Sequence, residues 1–166
     1  MSDITQEQVI QTELTAAYPC LQDKVRIQRA RRLYAAVSKE WIGEVFAFVV
    51  RNMDFSMLCA ITGLDEGETL GAIYHLARPD GMVLNLSTSV PKDRPMLRSV
   101  TVFFPAADAY ERELIDLLGF QVEGLGPGPR YPLPDNWPAG QYPLRKDWTA
   151  PDQAGPQREG SENPDV

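Results

Sequence analysis

Residues 56–90 read SMLCAITGL, DEGE, TLGAIYHLA, RPDG and MVLNLSTSV. Three apolar runs of strand length, separated by two short segments of turn residues, predict three strands in an antiparallel meander. Such a meander has an apolar face that needs a second layer to cover it. The flanking sequence offers helices for that layer. Upstream, Ser38 can cap a helix over 39–52, in which Trp41, Ile42, Val45, Phe46, Val49 and Val50 occupy more than one face. This helix is expected to be well buried. Residues 24–37 hold a charged stretch followed by LYAAV, read as one further strand. At the N-terminus, Thr5 and Gln8 have capping-box spacing. Val9, Ile10, Leu14 and Ala17 then recur at helical spacing over 6–18, until Pro19 ends the run. Downstream, residues 96–104 are apolar without a deciding period. Asp108 and Glu111 form an acidic capping box for a helix with Tyr110, Leu114 and Leu117 on one stripe, which ends at Gly119. The expected fold is α+β, a two-layer domain of two or three helices on a small, mostly antiparallel sheet. Its parts are an N-terminal helical segment (1–23), the α+β domain (24–120), an extended proline-rich arm (121–150) and a disordered polar tail (151–166).

Within the arm, residues 131–148 read YPLPDNWPAGQYPLRKDW, with four prolines and four large aromatics. The prolines exclude a regular helix or a central strand, whereas the aromatics call for burial. The segment is therefore expected to be ordered only where it lies across a surface, its own domain's or another chain's. GLGPGP at 124–129 superficially suggests a phosphate loop. Pro127 and Pro129 remove two backbone donors, and no helix N-terminus follows, so nucleotide binding is not expected.

Composition narrows the chemistry. The chain has 166 residues, 43% of them hydrophobic, which suits one domain with a real core. Its net charge of −7 disfavours nonspecific binding to nucleic acid or anionic lipid. The basic run VRIQRARR, with Arg26, Arg29, Arg31 and Arg32, is read as a solvated or partner-facing rim. Two cysteines, Cys20 and Cys59, provide neither a disulfide framework nor the four thiolates of an iron–sulfur cluster, and neither a CxxC pair nor a Cys/His zinc set is present. His75 is the single histidine and is expected to be structural, facing the same side as Ile73 and Ala77. Glu113 and Asp116 share a helix face, and Arg112 with Asp116 has ion-pair spacing in the less favourable order. These charges are expected to form a structural network, mostly between subunits, rather than a catalytic pair. With no long apolar run and a polar start, MSDITQEQ, neither a membrane span nor a secretory signal is expected, and a cytosolic location follows.

The run YERELIDLLG at 110–119, with EG at 123–124 and PLRKD at 143–147, resembles the C subunit of NADH–quinone oxidoreductase, respiratory complex I. The resemblance covers roughly residues 25–148. It rests on the family pattern E-R-E-x-x-D-x-x-G, then G-H-P-D-L-R-R, then P-L-R-K-D. The first and last elements match. In the middle one, Leu125, Gly126 and Pro127 stand where the family has His-Pro-Asp, and Arg130 keeps one of two arginines. That departure resembles the homologous subunit of energy-converting membrane-bound nickel–iron hydrogenases more than complex I itself. The resemblance implies a peripheral accessory subunit without a cofactor of its own, bound to the cytoplasmic side of the membrane only through other subunits. Its implied partners are a large catalytic subunit of hydrogenase or quinone-reductase type and a neighbouring iron–sulfur small subunit, not nucleic acid. Glu111, Arg112, Glu113 and Asp116 would pair across that interface. Arg130, Arg145, Lys146 and Asp147 would anchor the arm, with Trp137 and Leu144 filling partner pockets.

Overall fold

A computed structural model describes residues 5–150; the expected tail at 151–166 lies outside them. The elements are α1 (Thr5–Ala17), a 3-10 turn (Pro19–Leu21), β1 (Val25–Arg29), β2 (Arg32–Ala36), α2 (Ile42–Asn52), β3 (Met57–Asp65), β4 (Thr69–Ala77), β5 (Val83–Pro91), β6 (Met96–Arg98), α3 (Ala107–Leu118) and β7 (Gln121–Glu123).

The meander forms as expected: β3 pairs antiparallel with β4, and β4 with β5. Two features of the sheet go beyond it. The charged stretch is itself a strand, β1, which makes a hairpin with β2 around Arg31, whose φ is 59°. β2 then pairs parallel with β5, so the strand order is β1-β2-β5-β4-β3. The connection through α2 accounts for this order. It carries the chain from β2 to the far edge at β3, and the meander returns until β5 lies beside β2.

The three helices and one face of the sheet enclose a single core. Ile10 and Leu14 of α1, Val45, Phe46 and Val49 of α2, and Leu114 and Leu118 of α3 meet Leu33, Ala35, Leu70, Tyr74, Leu76, Leu84 and Leu86. Phe46 anchors the centre, its ring 5.3 Å from that of Tyr74 and 5.4 Å from that of Phe103. α3 crosses β3 at Gly63, where a Cβ would lie 2.4 Å from Leu118 and 2.6 Å from Leu114. A side chain there would force the Leu114 and Leu118 methyl groups to move.

Several local expectations are corrected. α2 begins at Ile42, and the backbone carbonyl of Ser38, not its hydroxyl, accepts from Trp41 N and Ile42 N. On α1 the buried positions are Glu7, Ile10 and Leu14, while Val9 is 51% exposed. Asp108 caps nothing; it lies inside α3, whose N-cap is Ala106. The segment 96–104 begins as a strand, β6, paired parallel with β7. The first residues of the expected arm are thus part of a second, two-stranded sheet. Gly119 ends α3 as expected, at φ 78°.

Candidate functional site

The residues singled out in the sequence gather on α3 and in the segment that follows it. Glu111 is buried and turned inward, accepting from Val100 N at 2.6 Å and Ser99 Oγ at 2.7 Å. Burial raises its carboxyl above the ordinary carboxylate value, and these two hydrogen bonds oppose the rise. The nearby Tyr74 phenol is also raised, by burial first and by the Glu111 charge second.

Arg112 turns the other way. Its guanidinium binds Asp108 through two bonds of 2.7 and 2.9 Å, and donates further to the carbonyls of Gly126 and Pro129. The acid therefore precedes the arginine by four residues, the more favourable helical order, in place of the expected Arg112–Asp116 pair. The hydrogen bond from Arg112 lowers the Asp108 carboxyl. GLGPGP acquires its explanation here. The loop wraps the Arg112 side chain so closely that a Cβ on Gly128 would lie 2.3 Å from the guanidinium.

Asp116 accepts from Arg130 Nε at 3.0 Å and from Leu133 N at 3.2 Å, and Arg130 Nη1 donates to the Trp137 carbonyl at 2.9 Å. Trp137 and Trp148 lie 6.2 Å apart, and their indole N–H groups both donate to Gln141, one to its backbone carbonyl and the other to its side-chain oxygen. The arm's aromatics thus pack largely on one another and on the domain.

PLRKD forms the last clasp. Leu144 N donates to the Leu117 carbonyl, and Arg145 Nε to the Leu118 carbonyl at 2.6 Å, both at the open C-terminus of α3. Arg145 also stacks on Tyr142, 4.5 Å from the ring centre. Lys146 N donates to Asp65 Oδ2 at 2.8 Å, and Lys92 Nζ bridges Asp65 at 2.8 Å and Asp147 at 3.1 Å. Asp65 accepts a further bond from Gly67 N. The Lys92 hydrogen bond, aided by the Lys146 and Gly67 amides, holds the Asp65 carboxyl far below the usual range, and the same bond raises Lys92. Asp65 and Lys92 were not singled out in the sequence. Asp65 ends β3 and Lys92 lies in the turn after β5, both far in sequence from residue 146, and their residue types alone carry no signal.

Glu111 and Asp116, expected to pair across an interface, therefore have partners within the chain. So do Arg112, Arg130, Arg145 and Asp147. Of the expected contact residues, Leu144 projects outward at 56% exposure, the Lys146 side chain is exposed and Glu113 is half-buried. Tyr131 adds a second exposed large side chain. Beside them Gln141, Tyr142, Arg145 and Trp148 line an open cleft of about 380 Å³. Among the described residues, no three of His, Cys, Asp and Glu are grouped so as to hold a metal ion. His75 fits its expected structural role: it shares hydrogen bonds with Asn85 Oδ1 at 2.6 Å and Thr62 Oγ1 at 2.9 Å. The arrangement is a clamp of ion pairs and capped carbonyls that fixes an irregular segment on a helix.

Residues 35–154 match the family described as respiratory-chain NADH dehydrogenase, 30 Kd subunit. The chain belongs to this family. Among its relatives, the C subunit of F(420)H(2) dehydrogenase from Methanosarcina mazei is 33% identical over 81% of this chain and 87% of its own length. The beta subunit of the membrane-bound hydrogenase from Pyrococcus furiosus is 33% identical over 70% and 69%. Among solved structures, a chain of the archaeal membrane-bound sulfane sulfur reductase superposes with a TM-score of 0.76 at 26% identity, over 87% of this chain and 86% of that one. Of these, the hydrogenase is membrane-bound and the sulfane sulfur reductase is an archaeal respiratory membrane complex. Among the described residues of this family member, no helix is long and apolar enough to cross a membrane.

Proposed function

We propose that this chain is a peripheral subunit of a membrane-associated energy-converting oxidoreductase of nickel–iron hydrogenase type, seated on the large catalytic subunit at the cytoplasmic face. Its role is to hold and shape that subunit, while electron transfer belongs to the neighbours, including an iron–sulfur small subunit. The observation that carries this reading is the clamp itself. The ion pairs and capped carbonyls of the arm present a fixed loop whose outward residues, Tyr131 and Leu144, are 49% and 56% exposed among the described residues. Large exposed apolar groups on a rigid polar frame suit a protein partner.

The hydrogenase assignment draws on the departure from His-Pro-Asp at 125–127 and on the Pyrococcus relative. A second reading, a subunit of a complex I-like dehydrogenase, is favoured by the Methanosarcina relative and by 32% identity to the C subunit of NADH-quinone oxidoreductase from Moorella thermoacetica. Purification of the tagged chain from membranes, with sequencing of what accompanies it, tests both. A large partner carrying two CxxC nickel-binding pairs is the expected result, a large partner without them supports the second reading, and a chain recovered alone overturns the proposal.

A further inference from the structure

Among the described residues, the three helices cover one face of the sheet, and the opposite face is left without a layer. Side chains alternate along strands, so the uncovered face can be enumerated. β1 and β2 place Arg26, Arg29, Arg32 and Tyr34 there; the inner strands add Ile73, His75, Asn85 and Ser87 among others, and β3 adds Thr62 and the exposed Leu64. No strand position on this face is an aspartate or glutamate, in a chain with 23 of them. Glu66, from the β3–β4 turn, folds over Gly71 at the end remote from the arginines.

Among the described residues, no carboxylate lies within ion-pair distance of Arg26, Arg29 or Arg32. Arg26 is held over the Tyr34 ring, 4.6 Å from its centre. Arg29 and Arg32 are direct cross-strand partners. Two like charges in that position destabilise a hairpin. The arginines thus stand in a costly arrangement that an anionic partner would relieve. They also precede the segment matched by the family, residues 35–154.

The geometry points to this face as a second docking surface, which takes an acidic surface of another protein subunit. The inference rests on the subunit role proposed above. Two observations select a protein over a membrane or nucleic acid. The molecule's net charge of −7 repels extended polyanions while leaving local complementarity intact. The size also fits: three nine-residue strands about 30 Å long and two five-residue strands about 17 Å long, spaced about 4.8 Å apart, offer roughly 600 Å², close to the ~800 Å² per partner of an ordinary protein interface.

The test is arginine modification by phenylglyoxal, read by mass spectrometry, on the free chain and on the purified assembly. Arg26, Arg29 and Arg32 should react at least about fivefold more slowly in the assembly. Equal reactivity overturns the inference. So does protection that vanishes when the assembly is delipidated, or binding of the free chain to phosphatidylglycerol vesicles or single-stranded DNA that Arg29→Glu abolishes. Arg29→Glu supplies a second readout. Opposite Arg32 it removes the repulsion, so the free chain should be at least as stable as wild type, while its affinity for the assembly drops about tenfold. Unchanged affinity again overturns the inference. A chain that copurifies with no large subunit removes the subunit role itself, whereas one that copurifies with reactive arginines removes only this second surface.

Discussion

Two carboxylates respond to pH in opposite senses. Glu111 has a folded value raised above its ordinary one by burial. The folded chain therefore keeps this proton after the unfolded chain has lost it, and the group's contribution to stability falls as pH rises above about 4.5. Asp65 is depressed by Lys92 and two amides, so its contribution is complete above the ordinary aspartate value and is lost as pH falls through and below about 3.8. Urea midpoints measured across pH should separate the two. Glu111→Gln should flatten the decline above pH 4.5, and Asp65→Asn should be less stable than wild type at neutral pH, with a shallower acid limb. Glu111→Ala is a harsher change, because the buried amide of Val100 loses its acceptor. It should cost about 1–3 kcal/mol in equilibrium unfolding.

At the level of elements, α3 shows which signals local sequence carries. Its end was readable because Gly119 adopts a left-handed conformation that suits glycine. Its start was not, because Asp108 and Glu111 are drawn to Arg112 and to Val100, tertiary partners that no capping pattern reveals. β1 was hidden for a similar reason. Only Val25 and Ile27 of VRIQR turn inward, so an edge strand reads as a charged run. The meander needed no such partners: its strand lengths and turn residues are local properties. Within the site, PLRKD stood out only through the family resemblance, and its acceptor Asp65, 81 residues away in sequence, had no signal of its own. Gly119 also faces the clamp, since a Cβ there would lie 2.6 Å from the Tyr142 ring and 2.7 Å from Arg145. Gly119→Ala combines a left-handed backbone penalty of about 1–2 kcal/mol with displacement of that stack. It should lower the unfolding free energy by at least about 1 kcal/mol and shift Trp148 emission, while a mutation at exposed Val102 should do neither.

For the molecule as a whole, the sheet order could not be inferred from strand patterns, because the crossing of α2 decides which strands become neighbours. That crossing puts every helix on one face, and the arm then clasps the free end of α3. The arm's polar residues therefore act mainly within the chain, and in the proposed assembly the arm's binding to a neighbour falls to the few side chains it leaves outward. Leu144 distinguishes these two roles. Its backbone amide belongs to the clamp, while its side chain is 56% exposed. Leu144→Asp should leave the thermal midpoint of the isolated chain within about 2 °C, since an exposed substitution costs at most about 0.5 kcal/mol. Affinity for the proposed large subunit should fall at least tenfold, because burying an unpaired carboxylate in a partner pocket costs more than about 1.4 kcal/mol. Lys92→Ala should behave differently. By removing the bridge between Asp65 and Asp147 it should loosen the arm in the free chain, seen as faster amide exchange at Lys146, and weaken docking through that loss of order. Equal effects of the two variants on the free chain would mean that Leu144 belongs to the fold and not to the docking surface.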